Sequence, residues 1–113
     1  MTDLAVEYGT EIADINAYDT WFLGTPYENL DDFIRMSPMT YVKNASTPAL
    51  ILIGEEDEID PIAQSWQFYR GLKRYGVDTE MVIYPREPHG IKERRHKIDL
   101  MNRMVEWIEK YTK

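Results

Sequence analysis

The sequence predicts an α/β fold of about three parallel strands covered by helices, in one domain over residues 1–113. Two apolar segments carry this prediction: Ala49–Ile53, which ends at Gly54, and Met81–Tyr84, which ends at Pro85. Short apolar runs between chain-breaking residues are typical of strands buried on both faces of a parallel sheet. An amphipathic segment separates the two runs, and the order strand, helix, strand, helix favours parallel strands joined by right-handed crossovers.

Two helices are predicted to cover these strands. Asp60 is expected to be the N-cap of the first helix, Pro61 its first residue and Gly76 its left-handed end. The second helix is predicted to begin near His96, and its Trp107 is expected to pack in the core. The predicted buried residues are Ile62, Trp66, Tyr69 and Leu72 in the first helix and Ile98, Met101, Met104, Val105, Ile108 and Tyr111 in the second.

The N-terminal half of the chain has weaker patterns. Asp3–Val6 is predicted to be a short strand, followed by a turn at Tyr8–Thr10. Apolar and aromatic residues at helical spacing predict a helix over Ile15–Leu23. A further helical segment is predicted over Asp31–Met36, and it should end before Pro38 because the residue preceding a proline avoids the helical region.

Composition and charge argue against several classes of protein. The chain has 13 basic and 20 acidic residues, a net charge of −7. This charge disfavours nucleic-acid binding, because phosphate neutralisation dominates that affinity. The absence of cysteine excludes a disulfide framework, a thiolate metal site and a cysteine nucleophile. No apolar run approaches the ~18 residues of a membrane span, and no basic-then-apolar leader is recognised, so a cytoplasmic location without a membrane partner is expected.

A carboxylate and a histidine follow the two predicted strands. Asp57 lies in the loop after the first strand, and His89 lies 32 residues later in the loop after the second. Neighbouring parallel strands would bring both side chains to one edge of the sheet. A carboxylate beside an imidazole is the acid–base half of a nucleophilic triad. The spacing alone favours a surface histidine near a solvated acidic loop.

These segments resemble the prolyl oligopeptidase family of serine peptidases, in its acylaminoacyl-peptidase and dipeptidyl-peptidase branch. The resemblance is carried by Thr47–Asp57, Glu80–Gly90, the last helix with Trp107, Tyr8–Thr10, Trp21–Gly24 and Ser37–Val42. It implies that Asp57 is the triad acid and His89 the triad base. It also implies a partial α/β-hydrolase fold, the C-terminal part of a peptidase domain that acts on short or N-acylated peptides. No cofactor is predicted.

Several parts of the family pattern are missing from the sequence. The nucleophile of the family lies on a G-x-S-x-G turn, whereas Ser37, Ser46 and Ser65 have no flanking glycines of that kind. The oxyanion donors and the β-propeller of the family lie upstream of the matching segments. Asp60 stands where the family has a small apolar residue. The resemblance therefore predicts a fragment with the acid and base but without the nucleophile.

A non-enzymatic role is the alternative that the sequence leaves open. Half of a sheet would expose an edge strand and apolar surface. The chain is then expected to be a catalytically inactive module that self-associates or complements a partner chain.

Three other charged groups favour structural roles over metal or anion sites. The acidic residues Glu55–Asp60 lack the ligand spacing and central glycine of a calcium loop. His89 and His96, considered with Glu93 as zinc ligands, are not at a helical ligand spacing. The basic run Lys92–Lys97 is interrupted by Glu93, which indicates a solvated helix start. No metal site is predicted.

Overall fold

The computed structural model describes residues 1–10 and 24–113, so the helix predicted over residues 15–23 lies outside the described part of the chain. None of the described helices is long and apolar enough to cross a membrane. The described elements are helix α1 (Leu4–Thr10), helix α2 (Leu30–Met36), a 3₁₀ helix (Pro38–Asn44), strand β1 (Ala49–Gly54), helix α3 (Ile62–Arg74), strand β2 (Thr79–Tyr84) and helix α4 (Arg94–Thr112).

The two predicted central strands pair in parallel. Their register runs from Ala49 opposite Thr79 to Gly54 opposite Tyr84. Helix α3 is the crossover between them and packs against both strands, as the sequence order predicts. The α/β class is therefore confirmed. The described residues form a two-stranded sheet, so the prediction of about three strands is wrong for this part of the chain.

Apolar residues of α3 form a core with neighbouring segments of the same chain. Leu72, which is 2% exposed, packs with Val42 and Val77. Full burial of one leucine side chain stabilises a fold by ~1.5–3 kcal/mol, which makes Leu72 an anchor of α3. Trp66 was predicted to join this core, and that prediction is wrong. Its side chain is exposed, with the Arg70 guanidinium 5.4 Å above the indole ring.

The predicted strand over Asp3–Val6 and the turn after it are wrong, because these residues form α1. The Asp3 carboxylate accepts a hydrogen bond from the Val6 N–H at 3.1 Å, as acidic caps at helix starts do. Tyr8 is buried against Phe33, with the two rings edge to face at 6.2 Å. Local capping and this tertiary contact select a helix over an extended strand.

The start of α3 differs from the prediction and its end does not. The helix begins at Ile62, with Pro61 in the capping position, so Asp60 is not its N-cap. The Asp60 N–H instead donates to the Asp57 carboxylate. Gly76 has φ +75°, which confirms the predicted left-handed end of the helix.

Helix α4 starts two residues before His96, and the prediction of its buried face is wrong. The residues of that face are each more than a third exposed: Ile98, Met101, Met104, Val105, Ile108 and Tyr111. Trp107 is half-buried and lines an open hollow with Leu50 and Leu52 of β1. Within the described residues, the apolar face of α4 therefore has little cover.

Gly54 ends β1 in direct contact with the loop that follows β2. A Cβ atom on Gly54 would overlap the carbonyl oxygens of Glu87 and Pro88. Only glycine allows two backbones to approach this closely. The position of the His89 loop therefore depends on residue 54 being a glycine.

We expect Gly54→Ala to destabilise the chain by about 1–3 kcal/mol, because the new methyl group forces the two loops apart. Urea unfolding measures the change. Gly9→Ala is the matched control, since a Cβ on Gly9 meets no atom of the described residues within 4 Å. Equal unfolding midpoints for the Gly54→Ala, Gly9→Ala and unsubstituted chains would contradict the close approach.

Candidate active site

Backbone hydrogen bonds join the loops that follow β1 and β2. The Glu55 N–H donates to the Tyr84 carbonyl at 2.9 Å, and the Glu56 N–H donates to the Glu87 carbonyl at 2.9 Å. These bonds extend the pairing beyond the last strand residues. The two loops therefore leave the same edge of the sheet side by side, as expected for the carboxyl ends of parallel strands.

Asp57 is a buried carboxylate with its orientation set by the backbone. Its Oδ1 accepts hydrogen bonds from the Ile59 N–H at 3.0 Å and the Asp60 N–H at 2.9 Å. Its Oδ2 lies 3.0 Å from Nδ1 of His89. The amides thus hold Oδ1 in place, and the imidazole lies nearer to Oδ2 than to Oδ1, which is 3.3 Å from Nδ1. Desolvation strengthens such a contact between a carboxylate and an imidazole.

His89 combines a fixed ring with an accessible edge. Its side chain is 50% exposed, whereas the Asp57 side chain is 5% exposed. An ionised carboxylate only accepts hydrogen bonds, so we assign the proton of the neutral ring to Nδ1. The lone pair then lies on Nε2, on the other side of the ring from Asp57. Such a nitrogen is suited to accept a proton from a nearby hydroxyl.

A second carboxylate, Asp60, faces the same histidine. Its Oδ2 lies 3.7 Å from Nδ1 of His89, and its Oδ1 lies 2.7 Å from the amino nitrogen of Met1. Burial raises the pKa of Asp60, but the Met1 amino group, a hydrogen bond with Glu7 and the His89 ring outweigh burial and lower it. The sequence reasoning missed this contact because it assigned Asp60 to a helix cap.

Glu87 is a second residue that the sequence reasoning missed. Its carboxylate is 1% exposed and accepts hydrogen bonds from the Lys92 N–H at 2.6 Å and the Glu93 N–H at 2.8 Å. Nδ1 of His96 lies 2.7 Å from the same carboxylate. Burial raises the pKa of Glu87, but these hydrogen bonds outweigh it, so the net pKa lies below the ordinary value. An acidic residue close to a predicted helix start was the available signal.

Tyr84 ties the end of β2 to α4. Its hydroxyl donates to Asp99 at 3.0 Å, and the Arg103 Nε donates to the same carboxylate at 2.7 Å. Burial, followed by the bond to Asp99, raises the pKa of Tyr84 to about 12. The phenol therefore stays protonated and remains a donor. Together with Glu87, this contact positions α4 relative to the His89 loop.

One cluster of described residues has the composition of a metal site. Ligand atoms of Glu87, Glu93 and His96 lie within 4.8 Å of one another. The Arg86 guanidinium already donates to Glu93 at 2.9 and 3.1 Å, and its positive charge opposes a cation there. His89 belongs to the Asp57 pair instead. We therefore interpret the cluster as a structural hydrogen-bond network.

Two open clefts meet at His89. The larger, of about 450 Å³, is lined by Glu56, Glu58, Ile59, Pro88, His89, Gly90 and Lys92. The smaller, of about 290 Å³, includes Asp57, Asp60 and Ser65 as well as Leu52 of β1. Both clefts are open to solvent, and His89 forms part of the wall of each. A bound molecule in either cleft would therefore touch the imidazole.

Comparisons with known proteins place the sequence among peptidases. A sequence model of the prolyl oligopeptidase family matches residues 2–113. The acylamino-acid-releasing enzyme of Arabidopsis thaliana is 30% identical over 86 residues, which are 76% of this chain and 11% of that enzyme. The acylamino-acid-releasing enzyme of Rattus norvegicus is 29% identical over 88% of this chain and 14% of its own length.

Solved structures give the same result for the fold. An acylaminoacyl peptidase from Pyrococcus horikoshii superimposes with a TM-score of 0.88 and 26% identity, over 96% of this chain and 18% of its own length. The predicted partial α/β-hydrolase fold is confirmed by this match. The chain spans less than a fifth of the length of each of these three relatives.

We expect Glu87→Gln to weaken the dependence of stability on pH. The lowered pKa of Glu87 means that its contribution is present above the ordinary glutamate pKa of ~4.3 and is lost as the pH falls through the folded-state pKa. The variant should therefore unfold at lower urea near neutral pH, and its midpoint should fall less between pH 5 and pH 3. Urea titrations at several pH values measure this.

Glu106→Gln removes an exposed carboxylate of α4 and is the matched control. It should keep the pH dependence of the unsubstituted chain. Parallel curves for the Glu87→Gln and unsubstituted chains would contradict the role assigned to Glu87.

Proposed function

The chain belongs to the prolyl oligopeptidase family, and from that premise we propose that Asp57 and His89 are the acid and base of a serine peptidase. The observation that carries the proposal is the 3.0 Å contact between Asp57 Oδ2 and His89 Nδ1. The expected reaction is acylaminoacyl- or dipeptidyl-peptidase-like hydrolysis of short peptides, in keeping with the names of the relatives.

In this proposal each side chain has one chemical task. Asp57 holds the imidazole with Nδ1 protonated and stabilises the imidazolium that forms during the reaction. Nε2 of His89 removes the proton from a serine hydroxyl as that oxygen attacks the substrate carbonyl. The imidazolium then donates this proton to the leaving amine, which breaks the peptide bond. In the second half of the reaction, His89 removes a proton from water, which attacks the acyl-enzyme carbonyl. The ester bond to the serine then breaks, and the serine oxygen takes the proton back from the imidazolium.

We propose that the nucleophile comes from outside these 113 residues, in the same polypeptide or in another chain. The sequence contains no G-x-S-x-G segment. The Ser37 hydroxyl is buried, where it donates to Phe33 O at 2.7 Å and accepts from the Leu4 N–H at 2.9 Å. Ser65 borders the smaller cleft but lies within α3 instead of on a turn between a strand and a helix.

The missing groups determine what the isolated chain is expected to do. An acyl-enzyme route needs a nucleophile, and losing one oxyanion donor alone costs ~3–4 kcal/mol of transition-state stabilisation. We therefore expect the isolated chain to be inactive on peptides and esters.

The larger cleft beside His89 is the proposed binding place for part of the substrate. Its volume of about 450 Å³ lies within the ~300–1,000 Å³ of common ligand sites. Ile59 and Pro88 give it apolar walls, and charged side chains of both signs line its rim. This mixture suits a short peptide, which has an apolar or acylated part and a polar backbone.

We further propose that a covering chain packs on β1 and α4, either a complementing chain or a second copy. β1 has a free edge within the described sheet. Next to that edge, Leu50 and Leu52 of β1 and Ile108 of α4 line an open hollow of about 210 Å³. The radius of gyration is 15.5 Å, larger than the ~13 Å of a compact domain of about this length. Exposed edges and apolar patches of this kind bind other chains.

The same surface supports the alternative function, a catalytically inactive module that only assembles with a partner. The exposed apolar face of α4 favours it, because such a face serves assembly whether or not chemistry follows. A cytoplasmic location, and the absence of membrane or nucleic-acid partners, stay predictions from the sequence.

A chimera tests the proposed reaction. This chain replaces the matching segment of the Pyrococcus horikoshii acylaminoacyl peptidase, and hydrolysis of an N-acetylated peptide is measured. We expect turnover that His89→Ala lowers on the order of 10⁴-fold in kcat, the usual cost of losing a triad member, and that Asp57→Asn lowers as well. His96→Ala is the matched histidine control, because His96 contacts Glu87, and it should keep the activity of the folded chimera.

Fluorophosphonate labelling read by intact mass shows whether each chimera is assembled, since only an activated serine reacts. We expect no adduct on the isolated 113-residue chain. A chimera that is labelled and active, and keeps both properties in His89→Ala, would contradict the assignment. An adduct on Ser37, Ser46 or Ser65 of the isolated chain would overturn the external nucleophile.

The uncovered apolar surface of β1 and α4 predicts self-association of the isolated chain. We expect it to sediment as more than a monomer at micromolar concentration, and Val105→Asp to shift it towards the monomer by placing a charge on the apolar face of α4. Asn102→Asp adds the same charge at an exposed polar position of that helix and should change little. A clean monomer at these concentrations would count against the covering surface.

A further inference from the structure

Two carboxylates converge on one ring nitrogen in this site. Nδ1 of His89 lies 3.0 Å from Asp57 Oδ2 and 3.7 Å from Asp60 Oδ2. The ordinary triad needs only one such acid. The two side chains differ in accessibility, since Asp57 is 5% exposed and Asp60 is 28% exposed. The second carboxylate is therefore the more accessible of the two.

The backbone holds the two carboxylates together in spite of their like charge. The Asp60 N–H donates to Asp57 Oδ1 at 2.9 Å, so the turn before α3 fixes one residue through the other. The other oxygen of Asp60, Oδ1, lies 2.7 Å from the Met1 amino nitrogen.

We propose that Asp60 is a second positioning residue for His89, which keeps Nδ1 protonated and Nε2 free when Asp57 does not hold the ring. At 3.7 Å the contact is an ion-pair distance and exceeds a hydrogen bond. A shift of roughly 0.5–1 Å brings it into the ~2.7–3.2 Å range of an N–H···O bond. Asp60 thus lies close enough to accept the Nδ1–H hydrogen bond when Asp57 does not.

The catalytic meaning of this inference rests on the proposed function, whereas its geometric content does not. If His89 is the base of a peptidase, a second carboxylate on Nδ1 adds to the stabilisation of the imidazolium. Loss of Asp57 alone should then leave more activity than loss of both carboxylates. In the active chimera we expect Asp57→Asn/Asp60→Asn to reduce kcat at least tenfold further than Asp57→Asn, with little change in KM.

The decisive experiment reads the tautomer of His89 in the full 113-residue chain. Long-range ¹H–¹⁵N NMR of ¹⁵N-histidine-labelled chain distinguishes Nδ1–H from Nε2–H, at a pH where the same spectra show a neutral ring. We expect Nδ1–H in the unsubstituted chain and in Asp60→Asn. Asp57→Asn should keep a majority of Nδ1–H, and the double variant should change to Nε2–H. An Asp57→Asn spectrum equal to that of the double variant would overturn the inference.

A second measurement covers the case in which Asp57→Asn fails to fold. With Asp57 intact, Asp60→Asn should shift the Nδ1 resonance of His89, because a charge 3.7 Å away is removed. Asp31→Asn, an exposed aspartate of α2, is the matched control and should leave the resonance in place. Equal Nδ1 resonances in Asp60→Asn and Asp31→Asn would also overturn the inference.

The two proposals fail in different ways. The NMR readout needs no nucleophile, so an inactive chimera with the expected tautomers refutes the peptidase and supports the role of Asp60. An active chimera in which Asp57→Asn and the double variant have equal kcat refutes the role of Asp60 and supports the peptidase.

Discussion

The close approach of Gly54 to the backbone of Glu87 and Pro88 is the constraint on which the rest of the site depends. Parallel pairing of β1 and β2 carries both loops to the same edge of the sheet, but pairing alone leaves several ångströms between neighbouring backbones. Because Gly54 has no side chain, the second loop packs directly against the end of the first strand. The same loop carries His89, with Nδ1 3.0 Å from Asp57 Oδ2.

The acidic residues around this contact between the two loops have different roles, although all of them are carboxylates in neighbouring parts of the sequence. Oδ1 of Asp57 accepts hydrogen bonds from backbone amides, and Oδ2 is the oxygen nearer to His89. Glu87 faces away from that pair and fixes the start of α4 through two backbone amides and His96. Asp60 contacts both the Met1 amino group and the histidine. Burial and hydrogen-bond partners, instead of residue type, separate the supporting carboxylates from the proposed acid.

The described residues have a packed side around Leu72 and an open side around α4 and the free edge of β1. The core around Leu72 holds α3 against the sheet. The contact between Asp57 and His89 forms within this chain. The face of α4 around Val105 and the free edge of β1 lack cover within the described residues. The contact between Asp57 and His89 and the cover of α4 are therefore separate properties of this chain.

The sequence by itself determined the two strands, the crossover helix, its end at Gly76 and the loops that hold Asp57 and His89, because apolar runs and chain-breaking residues are local signals. Only the tertiary structure decided that Leu4–Thr10 is helical, since packing of Tyr8 on Phe33 adds to the local capping by Asp3. It also decided the contacts of Asp60 and the exposure of α4. A hydrophobic pattern shows which face could be buried, but only the neighbours in space decide whether it is.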